Sequence, residues 1–196
     1  MPADVDAKTM LLANVVGAPS DELNALLSAP SQEAAVLVGL VERPGGIHIL
    51  LTERANHLEH HPGQISFPGG RLNDANEGYV AAALREASEE VGLARHHVDV
   101  LGRLPPRLTG TGFAVTPVIG WLADAFEAVP DPAEVKSAFE APLAHLLQTE
   151  NQRRMTRERF GTQFISYEYY FAEHRIWGAT AAILAQFFEV IDAKTI

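Results

Sequence analysis

Apolar residues recur in short blocks separated by glycine and proline, a pattern that predicts strands interleaved with helices. Residues 33–41 and 47–52 are apolar and β-rich, and Pro44-Gly45-Gly46 between them predicts a hairpin turn. Further predicted strands cover residues 64–67, 98–104, 114–122, 164–171 and 174–177. Because strands and helices do not alternate regularly, the pattern favours an α+β sandwich with a mixed β-sheet.

Helical periodicity is strongest between about residues 77 and 91. Val80, Leu84, Ala87 and Val91 fall on one stripe at about 100° per residue, so this stripe is expected to be buried. Gly92 is expected to end the helix. Further helices are predicted at residues 8–28 (with a second short helix opening at Asp21), 142–148 and 179–190.

Three carboxylates lie on a face roughly opposite that stripe. Glu86, Glu89 and Glu90 are spaced i, i+3 and i+4, so they share one side of the helix and are expected to point outward. Like charges at this spacing weaken a helix unless a cation lies between them. Mg²⁺ and Mn²⁺ prefer such oxygen ligands. The alternative interpretation is a solvated acidic face without a ligand.

Composition limits the classes of function. The chain has 196 residues, 47% of them hydrophobic, which predicts a single domain over 1–196 with residues 1–30 as a helical extension. The net charge of −10 argues against a nucleic-acid partner but not against a small anionic substrate bound through a metal. Without cysteine, a secretory signal or an apolar run of membrane-spanning length, we expect a cytoplasmic protein without membrane contact. The sequence leaves open whether the protein forms a homodimer.

The acidic helix and the glycine pair before it resemble the signature of the Nudix hydrolases. That signature is usually G-x5-E-x7-R-E-U-x-E-E-x-G-U, where U is aliphatic, and the run from Arg85 to Leu93 matches its second half. Glu77 has the expected spacing to Arg85. Two details depart: six residues separate Gly70 from Glu77, one more than usual, and the small Ala87 fills an aliphatic position.

A second resemblance is to the coenzyme A pyrophosphatases within this superfamily. It rests on Leu50-Leu51-Thr52-Glu53-Arg54 and on the run from His61 through Gly63-Gln64 to Phe67-Pro68-Gly69-Gly70. That family also has the longer loop before the helix, and the likeness extends over roughly residues 33–190. Glu59 departs from it, standing where the family usually has Arg.

The resemblance implies a Nudix-type α/β/α sandwich and a metal-dependent diphosphatase. The expected reaction is cleavage of CoA or acyl-CoA to 3′,5′-ADP and (acyl-)4′-phosphopantetheine. The implied metal ligands are Glu86, Glu89, Glu90 and the Gly69 carbonyl, with Mg²⁺ or Mn²⁺ bound. Arg85, one turn before Glu89, is expected to orient that carboxylate. Glu89 and Glu134 are the two candidates for the general base, and Glu134 could instead cap a following helix.

Other residues are assigned to the substrate or to the fold. Arg54, His61, Gly70 and Arg71 are the candidate substrate contacts. Arg54 suits a phosphate best, since a guanidinium can bind an anion bidentately, and His61 could either contact phosphate or hold the loop. A structural role is predicted for Glu77, in the first turn of the helix, and a core position for Trp177. The arginines at 153, 154, 157 and 159 are interpreted as solvated surface, with a 3′-phosphate site as the less favoured alternative.

Two other functions compete with CoA hydrolysis. One keeps the chemistry and changes the substrate to ADP-ribose or another nucleoside diphosphate derivative. The other is a non-catalytic regulator that binds a ligand on a Nudix fold. All three carboxylates of the signature, Glu86, Glu89 and Glu90, are present, which disfavours this second alternative.

Overall fold

The computed structural model describes residues 15–18, 20–29, 31–74, 76–123 and 126–192. Within these ranges eight strands form one mixed sheet, the central sheet, and four strands form a smaller outer sheet. None of the described helices is long and apolar enough to cross a bilayer.

The central sheet has the following strands: β2 (Gln32–Arg43), β3 (Gly46–Arg54), β4 (Ile65–Ser66), β5 (Gly69–Arg71), β6 (Val98–Arg103), β7 (Arg107–Leu108), β8 (Phe113–Leu122) and β9 (Val135–Pro142). The outer sheet is built from β1 (Val15–Val16), β10 (Gln152–Arg159), β11 (Thr162–Phe171) and β12 (His174–Ile176). The helices are α1 (Asp21–Ser28), α2 (Tyr79–Val91), α3 (Leu143–Leu146) and α4 (Gly178–Asp192).

Strands β2 and β8 form the parallel centre of the sheet, and their neighbours pair antiparallel to them. This arrangement confirms the mixed sheet predicted from the pattern. Along β2 the side chains alternate between two apolar layers. Ala35 and Leu37 pack with α2 on one face, while Ala34 and Val38 pack with α4 on the other.

Helix α4 lies between the two sheets. Its Ile183, Leu184 and Phe187 share one core with Ile49 of the central sheet and Tyr169 of the outer sheet. One face of the outer sheet therefore covers α4, and the other face of the outer sheet points away from the central sheet.

Several predicted elements need correction. Within the predicted helix 8–28, residues 15–16 form a strand against Phe164 and Gln163, and the helix is confined to Asp21–Ser28. Residues 8–14 lie outside the described residues. Trp177 is 44% exposed and is not a core residue.

Strands β9 and β10 were not predicted. The exposed positions of β10 carry mostly charged side chains, so hydrophobicity gives no strand signal there. Its pairing with β11 along its whole length supplies the missing stabilisation.

Candidate active site

The glycine pair lies in β5, against the start of β2. Gly69 pairs with Val36 and Gly70 with Ala35. A side chain on Gly69 would collide with backbone atoms of Ala35 and Val36, whereas a side chain on Gly70 would collide with the carboxylate of Glu86. The first glycine therefore serves strand packing, and the second lets a carboxylate approach the turn.

Helix α2 carries the acidic residues to this turn. Its buried positions include Leu84, Ala87 and Val91, as predicted, while Val80 is only half-buried. The helix ends at Gly92, which has a left-handed φ of 69° and donates to the carbonyl of Ser88 at 3.1 Å. Burial of the apolar stripe against β2 fixes which side of the helix faces the glycine turn.

Glu90 is buried, contrary to the expectation that all three carboxylates point outward. Its side chain accepts a hydrogen bond from the Gly69 N–H at 3.3 Å, and the residue is 3% exposed. Burial raises the pKa of the Glu90 carboxyl to about 8. The negative charges of Glu86 and Glu134 raise this pKa further, and the positive charge of Arg54 opposes them.

Glu86 lies beside Glu90 and is half-buried. Burial raises the pKa of its carboxyl, an effect that the ion pair with Arg85 opposes. The charges of Glu89 and Glu134 add to the rise. Four of the predicted site carboxylates therefore lie close enough to affect one another's charge: Glu86, Glu89, Glu90 and Glu134.

Arg85 connects this cluster to the preceding loop. The predicted pair with Glu89 is present at 3.1 Å, and Arg85 also contacts Glu86 and Glu77 at 2.8 Å each. It donates a further hydrogen bond to the carbonyl of Arg71 at 3.0 Å. Arg85 thus holds the glycine strand, the loop and the helix together.

Glu77 lies before α2, not in its first turn as predicted, because the helix begins at Tyr79 after the N-cap Gly78. Its carboxylate accepts from the backbone N–H of Asn73 at 2.6 Å and pairs with Arg85, and these contacts lower its pKa. The structural role expected for Glu77 therefore depends on its contacts with the loop at Asn73 and with Arg85, which helical spacing does not predict. The role of Asn73, which acts through its backbone, was missed for the same reason.

Arg54 ends β3 on the same side of the molecule. Its backbone pairs with Val135, which directly follows Glu134, and its charge acts on Glu90. Its Nε atom is buried without a hydrogen-bond partner among the described residues. Glu134 is exposed and is followed by β9, so it does not cap a helix.

His61 and Arg71 lie at the rim of this region. His61 is exposed, has a φ of 57° and accepts the backbone N–H of Gln64 at 3.3 Å, so its backbone shapes the loop before β4. The Arg71 guanidinium lies 4.9 Å from the centre of the Phe113 ring.

A divalent cation fits these donors chemically, although they are not preassembled. Among the described residues, no three His, Asp or Glu side chains already surround one point as a metal cluster would. Glu86 and Glu89 instead share Arg85. Glu86 and Glu90 are nevertheless desolvated carboxylates that repel each other beside an open backbone turn. Hard oxygen donors of this kind suit Mg²⁺-like ions.

The arrangement suits the handling of a small anion. It combines partly desolvated carboxylates, a glycine turn that permits close approach, and one cationic side chain without a full set of partners. Such clusters of perturbed groups are typical of functional sites.

Comparison with known proteins agrees with this geometry. The NUDIX domain family matches residues 30–169. A protein of Photorhabdus laumondii named as an uncharacterised Nudix hydrolase, NudL, is 39% identical over 160 residues, which cover 82% of this chain and 85% of that protein. A protein of Enterobacter with the same name is 38% identical over 79% of this chain and 80% of its own length.

Solved structures show the same fold at lower identity. The Nudix hydrolase RenU of M. smegmatis superposes with a TM-score of 0.59 at 21% identity, over 83% of this chain and 87% of that one. A MutT/nudix family protein of Enterococcus faecalis gives a TM-score of 0.55 at 15% identity, over 90% of this chain and 66% of that one.

Proposed function

The chain belongs to the Nudix hydrolase family, whose members act on phosphorus-containing anhydrides, and we propose that its substrate is coenzyme A or acyl-CoA. The products would be 3′,5′-ADP and (acyl-)4′-phosphopantetheine, and the reaction would use Mg²⁺ or Mn²⁺. The carboxylates Glu86, Glu89 and Glu90 support metal-dependent diphosphate hydrolysis in general. The upstream Leu50–Arg54 element supports the choice of coenzyme A as substrate.

Arg54 carries the proposal. A buried guanidinium nitrogen without a hydrogen bond is unfavourable, because it has lost water without gaining a partner. A phosphate oxygen beside Glu90 would supply that partner through a charge-assisted hydrogen bond. Arg54 belongs to the Leu50–Arg54 element, which resembles the coenzyme A pyrophosphatases.

The chemistry divides among the residues as follows. A divalent cation at Glu86, Glu90 and the Gly69 carbonyl, with Glu89 as a further ligand or as the base, would offset the diphosphate charge and acidify the attacking water. Arg54 binds the diphosphate, with Gly70, Arg71 and His61 at its rim. Arg85 positions Glu86 and Glu89. Glu89 or Glu134 accepts the proton of the attacking water.

The reaction can be tested with a panel of diphosphates. Purified protein is incubated with CoA, acetyl-CoA, ADP-ribose and other nucleoside diphosphate derivatives, with Mg²⁺ or with Mn²⁺, and the products are identified by mass. We expect CoA or acyl-CoA to have the highest kcat/KM. Efficient ADP-ribose hydrolysis with no detectable CoA cleavage would reject the substrate and leave the family unchanged.

The role of Arg54 gives a direct prediction. Arg54→Ala should lower kcat/KM for CoA by roughly tenfold or more, about 1.4 kcal/mol, because one charge-assisted contact is lost. The melting temperature should change little, since no hydrogen bond of Nε is broken. A variant that melts early while its folded fraction keeps full activity would make Arg54 a structural residue.

A further inference from the structure

Ser66 of β4 directs its side chain to the side of the central sheet that carries the box carboxylates. Its neighbours Ile65 and Phe67 both belong to the core beneath α4. Because side chains alternate along a strand, Ser66 points to the opposite side, towards α2. Its cross-strand partner Thr52 agrees, since Thr52 lies two residues after Leu50, which packs with α2. Ser66 therefore shares a face of the sheet with the carboxylates of α2.

Along this face Ser66 lies between Arg54 and the glycine turn. The Arg54 N–H donates to the carbonyl of Gln64 at 3.0 Å, two residues before Ser66. Gly69, whose N–H binds Glu90, follows three residues after Ser66, a chain span of at most about 11 Å. The Ser66 hydroxyl thus stands between the side chain that is proposed to bind phosphate and the carboxylates that are proposed to bind the metal.

The backbone around Ser66 is held in place from the α4 side of the sheet. The buried Thr180 of α4 donates its hydroxyl to the carbonyl of Ile65 at 3.0 Å, and Phe67 is packed in the core. Ser66 itself remains partly exposed. A partly exposed side chain on a fixed backbone can bind a ligand with little further loss of conformational freedom.

Thr52 and Ser66 form a pair of hydroxyl groups with one proton to spare. Thr52 Oγ1 is fully buried and lies 3.2 Å from the Ser66 carbonyl oxygen and 3.1 Å from Ser66 Oγ. Each hydroxyl has one proton and can also accept. If Thr52 donates to either oxygen of Ser66, the Ser66 proton is available to a ligand. An anionic oxygen is a stronger acceptor than the Thr52 hydroxyl, so a bound anion would attract that proton.

We propose that Ser66 is a further substrate-binding residue, whose hydroxyl donates to a phosphate oxygen of the diphosphate, and that Thr52 is a positioning residue that acts through Ser66. This rests on the proposed function, because the anion is the diphosphate that Arg54 binds. The contact concerns the part that CoA and ADP-ribose share. Its test therefore does not depend on which of the two is the better substrate.

Ser137 provides a matched control on the neighbouring strand β9. It is partly exposed, as Ser66 is, and it donates to Glu53 at 3.3 Å. Ser137 pairs with Glu53, which pairs in turn with Ile65 of the α4-side core. Residues paired directly across strands share a face, so Ser137 points away from the carboxylates.

The first test measures the hydrolysis of CoA and of ADP-ribose by Ser66→Ala and Ser137→Ala. In Ser66→Ala the kcat/KM for each hydrolysed substrate should fall about tenfold, or about 1.4 kcal/mol, mainly through a higher KM. The melting temperature should change little, because Thr52 can still donate to the backbone carbonyl at position 66. Ser137→Ala should keep both values. An unchanged kcat/KM in Ser66→Ala, or an equal fall in Ser137→Ala, would overturn the proposal.

The second test asks whether Thr52 acts through Ser66. Thr52→Val keeps the side-chain shape and removes the hydroxyl, so KM should rise about threefold, whereas Thr52→Ser keeps the hydroxyl and should stay near the parent. In a double-mutant cycle, adding Thr52→Val to Ser66→Ala should cause no further loss. Additive losses, or an equal loss in Thr52→Ser, would reject the positioning role.

Direct binding separates Ser66 from the choice of substrate. Calorimetry with inorganic pyrophosphate, a diphosphate without a nucleoside, should show about tenfold weaker binding in Ser66→Ala and none of this loss in Ser137→Ala. Weaker pyrophosphate binding in Ser66→Ala together with hydrolysis of ADP-ribose alone would uphold Ser66 and reject CoA as the substrate. Preferred hydrolysis of CoA with pyrophosphate binding that does not depend on Ser66 would uphold the substrate and reject the role of Ser66.

Discussion

Two buried glutamates of this chain have opposite surroundings. Both Glu90 and Glu168 are 3% exposed. Glu168, in the outer sheet, accepts from Arg157 at 2.7 Å, from Tyr170 at 2.6 Å and from two nitrogens of Arg175. Among the described residues, Glu90 accepts a single, longer hydrogen bond, from the Gly69 N–H, and it has other carboxylates nearby.

The pKa values of the two groups follow from this difference. The hydrogen bond from Arg175 lowers the pKa of Glu168 to about 2 against the effect of burial, and Tyr170 and Arg157 lower it further. Burial dominates at Glu90 and raises its pKa to about 8. A buried carboxylate that is surrounded by hydrogen-bond donors and positive charge stabilises the fold. A buried carboxylate without them can bind a cation instead. Burial alone therefore does not separate structural from functional acids; the count of donors does.

Removing a carboxylate from the uncompensated cluster should have the largest effect on activity. Glu86→Gln and Glu90→Gln keep the side-chain shape and remove a charge that the reaction needs, so kcat should fall by about two to three orders of magnitude. Folding at neutral pH should be nearly unaffected in Glu90→Gln, since the raised pKa of Glu90 leaves its buried carboxyl mostly neutral in the metal-free protein. Steady-state kinetics and thermal unfolding would check both. Turnover near the parent level in either variant would reject the site.

The two glycines of β5 should also separate fold from activity. In Gly70→Ala the new methyl group displaces the flexible end of Glu86, so activity should fall roughly 10- to 100-fold with a small change in stability. In Gly69→Ala the new methyl group collides with backbone atoms of Ala35 and Val36. The free energy of unfolding should therefore fall by more than about 2 kcal/mol. Denaturant unfolding and kcat of both variants test this. Equal behaviour of the pair would contradict the contacts assigned here.

Glu168→Gln is the matched counterpart of Glu90→Gln. It leaves Arg157 and Arg175 without their carboxylate, so the free energy of unfolding should drop by roughly 1–3 kcal/mol. The kcat of the remaining folded protein should stay at the parent level, because Glu168 lies in the outer sheet, on the other side of α4 from the central sheet. A fall in kcat without a fall in stability would place Glu168 in the reaction.

Local spacing predicted part of this arrangement. The helix, its apolar stripe and the Arg85–Glu89 pair follow from a period of 3.6 residues. The Arg85–Glu77 pair depends on the path of a loop, and the burial of Glu90 depends on where β5 pairs with β2. Such facts arise from tertiary pairing, which no single stretch of sequence contains.

The same two glutamates should also give a pair of opposite pH slopes in the stability of the metal-free protein. For Glu90 the folded state binds the proton more tightly than the unfolded chain, whose ordinary value is 4.5, so stability should fall as pH rises from about 4.5 to about 8. For Glu168 the unfolded chain binds it more tightly, so stability should be present above about pH 4.5 and be lost as pH falls towards 2. Urea unfolding across pH 2–9 would show a slope at each end. Glu90→Gln should flatten only the upper one and Glu168→Gln only the lower one; a Glu90→Gln protein that kept the upper slope would assign it to another group.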